Sequence, residues 1–276
     1  MALPEPPIYP DLKGKVVLVT GVGQQGDPEM WGNGAATARV FAQQGCKVFG
    51  CDINLPSAEN TKKRIEAEGG EMTVVQANVT KTDEVKALVD AVMAKYGRID
   101  VLVNNVGMSQ PGGPADMSEE VWDAQMDVNL KSVYLCCHHI LPIMEAQKSG
   151  AVVNLASIAA VRYIGKAQIG YSATKAAVIQ FTKATALIYA KKGVRLNVIL
   201  PGLIHTPLIG SLAEKYNNGD VEGLVKKRDS SVPMGKMGES HDVAYGACFL
   251  ASQAARHITG QKLIIDGGVV GNASPG

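Results

Sequence analysis

Seven short apolar runs recur along this chain, and a stretch with helical spacing separates each from the next. The runs span residues 16–19, 47–51, 73–76, 101–103, 152–155, 196–200 and 263–265; the helical patterns span 35–44, 58–67, 85–96, 119–147, 171–190 and 242–251. Runs such as Val16-Val-Leu-Val19 do not alternate apolar with polar residues, so both faces of each strand must be covered. A parallel sheet between two layers of helices meets that condition, and right-handed crossovers wind it in both directions. The expectation is an α/β fold: a doubly wound, seven-stranded parallel sheet with helices on both faces and a ligand crevice at the carboxyl ends of the strands. A chain of 276 residues suits one such domain, here with an N-terminal extension over residues 1–13. Residues 203–233 break the alternation. Leu208, Ile209, Leu212, Leu224 and Val225, interspersed with Gly210, Gly219 and Gly223, suit a mobile substrate lid.

Composition narrows the partners. Lys and Arg number 27 against 26 Asp and Glu, so neither nucleic acid nor an anionic membrane is expected. Basic clusters such as Lys226-Lys-Arg228 read as solvated helix surface. The N-terminus lacks the apolar core of a signal peptide, and no apolar run approaches the roughly 20 residues that span a bilayer. Cys46, Cys51, Cys136, Cys137 and Cys248 have no metal-ligand spacing and read as reduced core thiols. His138 and His139 are adjacent on a helix and cannot share a face, so no metal site is expected. These features together point to a cytoplasmic protein acting on a small molecule.

The chemistry is concentrated in Tyr171-Ser-Ala-Thr-Lys175. Residues four apart share one face of a helix. An ammonium beside a phenol lowers a pKa that starts near about 10, so that the tyrosine can exchange a proton near neutral pH. Alone, the pair is more often the polar edge of an amphipathic helix. Ser157 follows the run 152–155, and Asn129 interrupts an amphipathic stretch. The first strand leads into glycines. Gly21-Val-Gly23-Gln-Gln-Gly26 matches the dinucleotide fingerprint literally, but the last glycine should open a helix, and Asp27-Pro28-Glu29 follows it. Pairing Thr20-Gly21 with Gly32-Asn33-Gly34, which leads directly into a helical pattern, is the better alignment.

Together with Asn104-Asn-Val-Gly107 and Pro201-Gly202, these residues resemble the short-chain dehydrogenase/reductase family, from about Lys15 to Gly268. The resemblance implies a Rossmann-type fold and, beside the family's spacing, an insertion over residues 24–30, either an inert surface bulge or part of the cofactor loop. It implies Tyr171 as general acid/base, and Lys175 as the group that lowers its pKa and binds the nicotinamide ribose. Ser157 would stabilise the substrate oxygen, and Asn129 would hold a water linked to Lys175. Gly21, Gly32, Asn33 and Gly34 would hold the pyrophosphate at a helix N-terminus. Asp52, with Ile53, ends the second strand where an acid accepts from the ribose hydroxyls and repels a 2′-phosphate, so NAD is favoured over NADP. Asn78 and Val79 would meet the adenine, with Asn78 bonding its amine. Asn105, Val106 and Gly107 would line the adenosine side; Ile204 and Thr206 would meet the carboxamide and phosphates. His205 lies outside the family pattern and reads as incidental.

The implied activity is hydride transfer between NAD(H) and a small or medium secondary alcohol or ketone, with Val161, Tyr163, Ile164, Met108 and the lid forming an apolar pocket. The rivals are an NADPH-dependent ketoreductase, which would need the insertion or Arg39 to hold the extra phosphate, and a non-catalytic dinucleotide-binding sensor or scaffold. An enoyl reductase fits less well, since that branch resembles a wider Tyr–Lys spacing. A homo-oligomer, commonly a tetramer, is also implied, with interfaces on residues 119–147, the Tyr171 helix and 263–268.

Overall fold

A computed structural model describes residues 7–272, apart from Gln25, Pro28 and the side chains of Lys215 and Tyr216. Residues 1–6 of the expected N-terminal extension, and Gln25 and Pro28 of the insertion, lie outside the described residues. All seven expected strands form: β1 (Val16–Thr20), β2 (Lys47–Asp52), β3 (Glu71–Gln76), β4 (Val101–Asn104), β5 (Gly150–Leu155), β6 (Val194–Pro201) and, at the far edge, β9 (Lys262–Ile265). They pair in parallel in the order β3-β2-β1-β4-β5-β6-β9. The order reverses between β1 and β4, which leaves a crevice above their carboxyl ends.

The period of two along β1 sorts its residues between two cores. Val17 and Val19 pack with Ala36, Val40 and Phe41 of α1 (Asn33–Gln43) and with Val243, Ala244 and Ala247 of α9 (Ser240–Ala251). Val16 and Leu18 face the other layer, with Leu88 and Val92 of α3 (Thr82–Tyr96), Ile140 and Met144 of α5 (Ser132–Gln147) and Val178 of α6 (Ile169–Tyr189). Between β2 and β3, α2 (Leu55–Ala67) is capped by the Asn54 side chain, which accepts from Ser57 N. All five cysteines are free and buried. Among the described residues no helix is long and apolar enough to cross a membrane.

Two expectations change. The pattern over 119–147 is not one regular helix: α4 (Glu119–Met126) passes through a π-turn at Asp127–Lys131 before α5 begins. The segment 203–233 is more ordered than its glycines suggest. It holds β7 (Ile204–His205), which pairs with β8 (Gly238–Glu239), and two helices, α7 (Ile209–Tyr216) and α8 (Val221–Ser230). Ile209, Ala213 and Leu224 form a small core of their own, and Asp220 caps α8 by accepting from Gly223 N at 2.8 Å.

Candidate functional site

A cleft of about 600 Å³ opens above the carboxyl ends of the strands, roofed in part by Leu208, Leu212 and Arg228 of the segment after β6. Its floor is the turn from β1 to α1. Gly21 has φ +71°, and a Cβ there would press on Val106 Cγ2 at 2.9 Å. A Cβ on Gly34 would overlap the Gly21 carbonyl oxygen, so the first turn of α1 reaches the strand end only as glycine. Asn105 ties β4 to the same turn by donating from Nδ2 to the oxygens of Thr20 and Gly21 at 3.1 and 3.0 Å. Gly32 is the N-cap of α1, as the alignment through Gly32-Asn-Gly34 requires. Asn33 Oδ1 is buried there without a hydrogen-bond partner.

At the β2 end, Asp52 accepts from Gly23 N and Asn54 N, each at 2.9 Å, and both its oxygens keep further lone pairs. Gly23, set aside with the literal fingerprint, thus belongs to the cleft: a Cβ on it would meet the Asp52 carboxylate at 2.9 Å. Asn78 lines the same end, but its Oδ1 already accepts from Thr80 N and Thr80 Oγ1 at 3.0 and 2.8 Å. Two lone pairs are thereby used, so the expected bond from an adenine amine to that oxygen has no acceptor left.

The described residues of the insertion are anchored to their surroundings. The Gln24 side chain accepts from Gly32 N at 3.0 Å and donates to Met30 O at 2.9 Å. The Arg64 guanidinium lies 3.6 Å from the Trp31 ring centroid and donates to Met30 O at 2.8 Å. Gly26 packs so closely on Pro207 that a Cβ would overlap the Pro207 carbonyl oxygen, which joins the insertion to the segment after β6.

On the opposite wall stand Ser157, Tyr171 and Lys175. Ser157 ends β5 and caps a short 3-10 turn, its Oγ accepting from Ala159 N at 3.2 Å. Burial raises the Tyr171 pKa, and a hydrogen bond with Ser157 opposes that shift. Lys175 is buried, donates to Leu155 O at 2.9 Å, and has its pKa lowered by burial to about 8. Its Nζ is 5.8 Å from the Tyr171 ring centroid. Burial, not Lys175, sets the direction of the Tyr171 shift here: the lysine shares the helix face, as expected, and reaches past the ring to the end of β5.

Asn129 alone among the expected catalytic and cofactor-binding residues does not line the cleft. The π-turn rotates it inward, where Oδ1 accepts from Met108 N at 2.8 Å and Nδ2 donates to Met108 O and Thr174 Oγ1 at 2.9 and 3.1 Å. A Cβ on Gly107 would sit 3.0 Å from Lys175 Nζ and 3.2 Å from Asn129 Oδ1, so the two flank that glycine. With its side chain bonded to Met108 and Thr174, Asn129 braces the loop after β4, and its Oδ1 keeps one lone pair. Val161, Tyr163 and Ile164 also miss the cleft, because the 3-10 turn after Ser157 carries them outward and leaves Tyr163 76% exposed. Met108, Ile204 and Thr206 do line it.

Comparison with known proteins agrees with this geometry. Residues 29–270 match a family model described as enoyl-(acyl carrier protein) reductase. The chain is 38% identical over 259 residues to the 3-oxoacyl-(acyl-carrier-protein) reductase FabG of Thermotoga maritima, covering 94% of this chain and 99% of that one. A Burkholderia xenovorans structure described as a short-chain dehydrogenase/reductase superposes with a TM-score of 0.91 at 44% identity, over 96% of this chain and 99% of that one. Ligand-free aldohexose dehydrogenase from Thermoplasma acidophilum gives 0.86 at 33% identity, over 97% and 98%. The chain belongs to the short-chain dehydrogenase/reductase family. It is a hydride-transfer oxidoreductase of that family, which binds a nicotinamide dinucleotide.

The cleft suits such a ligand. It offers a helix N-terminus over glycines, an orphaned Asn33 oxygen within that first turn and a carboxylate at the β2 end. Arg228 escaped the sequence reading. Lys226 and Lys227 are exposed as expected, but Arg228 turns into the cleft. The signal was its spacing: Arg228 follows the buried Leu224 by one helical turn and so shares the inward face of α8.

Proposed function

We propose that this short-chain dehydrogenase/reductase transfers a hydride between NAD(H) and a small or medium secondary alcohol or ketone. The observation that carries the reading is the convergence of Ser157, Tyr171 and Lys175 on the cleft that also contains the β1–α1 glycine turn and Asp52. The dinucleotide supplies or accepts the hydride. Tyr171 gives its proton to the carbonyl oxygen in reduction and takes it back in oxidation; its raised pKa keeps it protonated and ready as an acid at neutral pH. Ser157 holds the substrate oxygen where charge develops. Lys175 binds the ribose beside it, and Asn129 positions Met108 and Gly107 beneath both.

Asp52 supports NAD over NADP. Among the described residues the cations that line the cleft are Lys175 and Arg228, and neither is on β2 or α1. Arg39, the candidate for a 2′-phosphate, is engaged by Glu68 at 2.7 Å and lies 5.1 Å from the Trp31 ring. Gly21, Gly23, Gly32, Asn33 and Gly34 would cradle the pyrophosphate, with Ile53, Val79, Asn105 and Val106 around the adenosine and Ile204 and Thr206 toward the nicotinamide. Residues 203–233 act as the substrate lid, and the chain assembles as a homo-oligomer, with a tetramer favoured.

Titration of the purified protein with NADH and NADPH, followed by nicotinamide fluorescence, tests the cofactor. NADH is expected to bind at least about tenfold more tightly, a difference of about 1.4 kcal/mol; tighter NADPH binding would reverse the reading of Asp52. Tyr171→Phe is expected to lower turnover by about 10²-fold or more while leaving NADH affinity nearly unchanged. Retained turnover would remove Tyr171 from the chemistry, and binding of neither nucleotide would favour a non-catalytic role.

A further inference from the structure

Arg228 has no part in the reaction as derived, yet it lines the cleft with its Nε and Nη1 buried and without hydrogen-bond partners. A guanidinium stays charged in proteins and carries a planar fork of donors, and leaving such donors unsatisfied in a protein interior is costly. The adjacent Asp229 is directed elsewhere, its Oδ1 accepting from Met237 N at 2.8 Å. Burial lowers the Arg228 pKa and the charge of neighbouring Asp229 opposes that shift, while Arg228 and Lys227 both act to lower the Lys166 pKa, after burial. Among the described residues Asp52 is the one carboxylate that lines the cleft, and it lies at the end of β2, whereas Arg228 follows β6 on the other side of the sheet order. The cleft is thus polarised, negative at the nucleotide end and positive on the side of Ser157 and Tyr171.

We propose that the substrate carries a carboxylate, and that Arg228 binds it with the buried guanidinium donors that have no partner on the protein. This rests on the reading of Ser157, Tyr171 and Lys175 as the reacting end. It narrows the substrate class from secondary alcohols and ketones in general to hydroxy acids and oxo acids. Arg228 becomes a specificity-determining residue for the substrate.

The probes are 2-, 3- and 4-oxopentanoate, each set against its methyl ester, which keeps the ketone and removes the charge. Turnover is measured with whichever dinucleotide binds more tightly, and binding of each acid to the dinucleotide-loaded protein is measured by calorimetry. At least one acid is expected to exceed its ester in kcat/KM by about tenfold to a hundredfold, the range of a charge-assisted hydrogen bond. Arg228→Gln should bring that ratio close to one, and Arg228→Lys should restore part of it, with thermal unfolding checking that both variants fold. The proposal is overturned by esters used as well as acids, or by an acid-to-ester ratio that survives Arg228→Gln. It is also overturned if Arg228→Gln weakens NADH binding about tenfold while the ratio persists, since the guanidinium would then serve a cofactor phosphate. If no probe turns over but an acid binds and loses binding in Arg228→Gln, the anion site stands and the catalytic reading fails. If none turns over and none binds, the anion site falls as well.

Discussion

Lys175 shows how far a side chain's surroundings can move it from its solution behaviour. Its ammonium lies against Gly107 and donates to the Leu155 carbonyl oxygen, and burial brings its pKa from 10.5 to about 8. Because the folded value is below the unfolded one, folding releases a proton between about pH 8 and 10.5. The unfolded chain binds more protons across that window, so the contribution of Lys175 to stability rises with pH there and is flat below it. In protein labelled with ¹³C at lysine Cε and free of nucleotide, one resonance should titrate near pH 8 and vanish in Lys175→Met. A Lys175 midpoint at or above about 10, the ordinary lysine value, would contradict this account. Tyr171 moves the other way, upward with burial, so the protein without nucleotide holds a neutral phenol over an ammonium that gives up its proton unusually easily.

Among the elements, the insertion between β1 and α1 differs most from the inert bulge that was one reading of it. Trp31 is clasped by Arg64, Gln24 spans the loop from Gly32 to Met30, and Gly26 rests on Pro207. The loop therefore connects the N-terminus of α1 to the segment that roofs the cleft. Arg64→Ala removes both the stacking and the bond to Met30. It is expected to weaken NADH binding by about twofold to thirtyfold, the range of a cation–π contact of about 0.5–2 kcal/mol, and to shift the Trp31 emission to the red. Unchanged affinity with an unshifted spectrum would return the insertion to the status of a bulge. The turn between α4 and α5 shows the same dependence on neighbours: a π-turn aims Asn129 at Met108, where a regular helix would have continued past it.

For the whole molecule, several exposed or partly covered apolar side chains lie on elements that a second copy could cover. Leu187 and Ile188 of α6 are 68% and 64% exposed, Tyr134 of α5 is exposed, and β9 is an edge strand whose Leu263, Ile264 and Ile265 are only partly covered. Unpaired strand edges and contiguous apolar patches invite association. Light scattering is expected to give a mass that is a multiple of 29.1 kDa, with a tetramer favoured, and the double substitution Leu187→Glu, Ile188→Glu should reduce it. A monomeric wild type would dismiss the assembly. Since α6 also carries Tyr171 and Lys175, association would hold the catalytic helix from outside.

Much of this was legible in one dimension. Strand and helix positions follow from periods of two and 3.6 in local side chains, so all seven strands were visible, as were Gly34, Asp52, Ser157 and the Tyr171–Lys175 pair on one helix face. Helices α7 and α8 were obscured because glycine lowers helix propensity, and a small core of Ile209, Ala213 and Leu224 outweighs that local cost. What a polar group bonds to was not legible. Asn78 giving its oxygen to Thr80, Lys175 reaching Leu155, Asn129 bracing Met108 and Arg228 left open in the cleft all depend on which donors and acceptors packing brings within about 3 Å. Local periodicity determined the elements and the residue types of the site; tertiary packing decided their partners and charge states, because hydrogen bonding and desolvation depend on neighbours from distant parts of the chain.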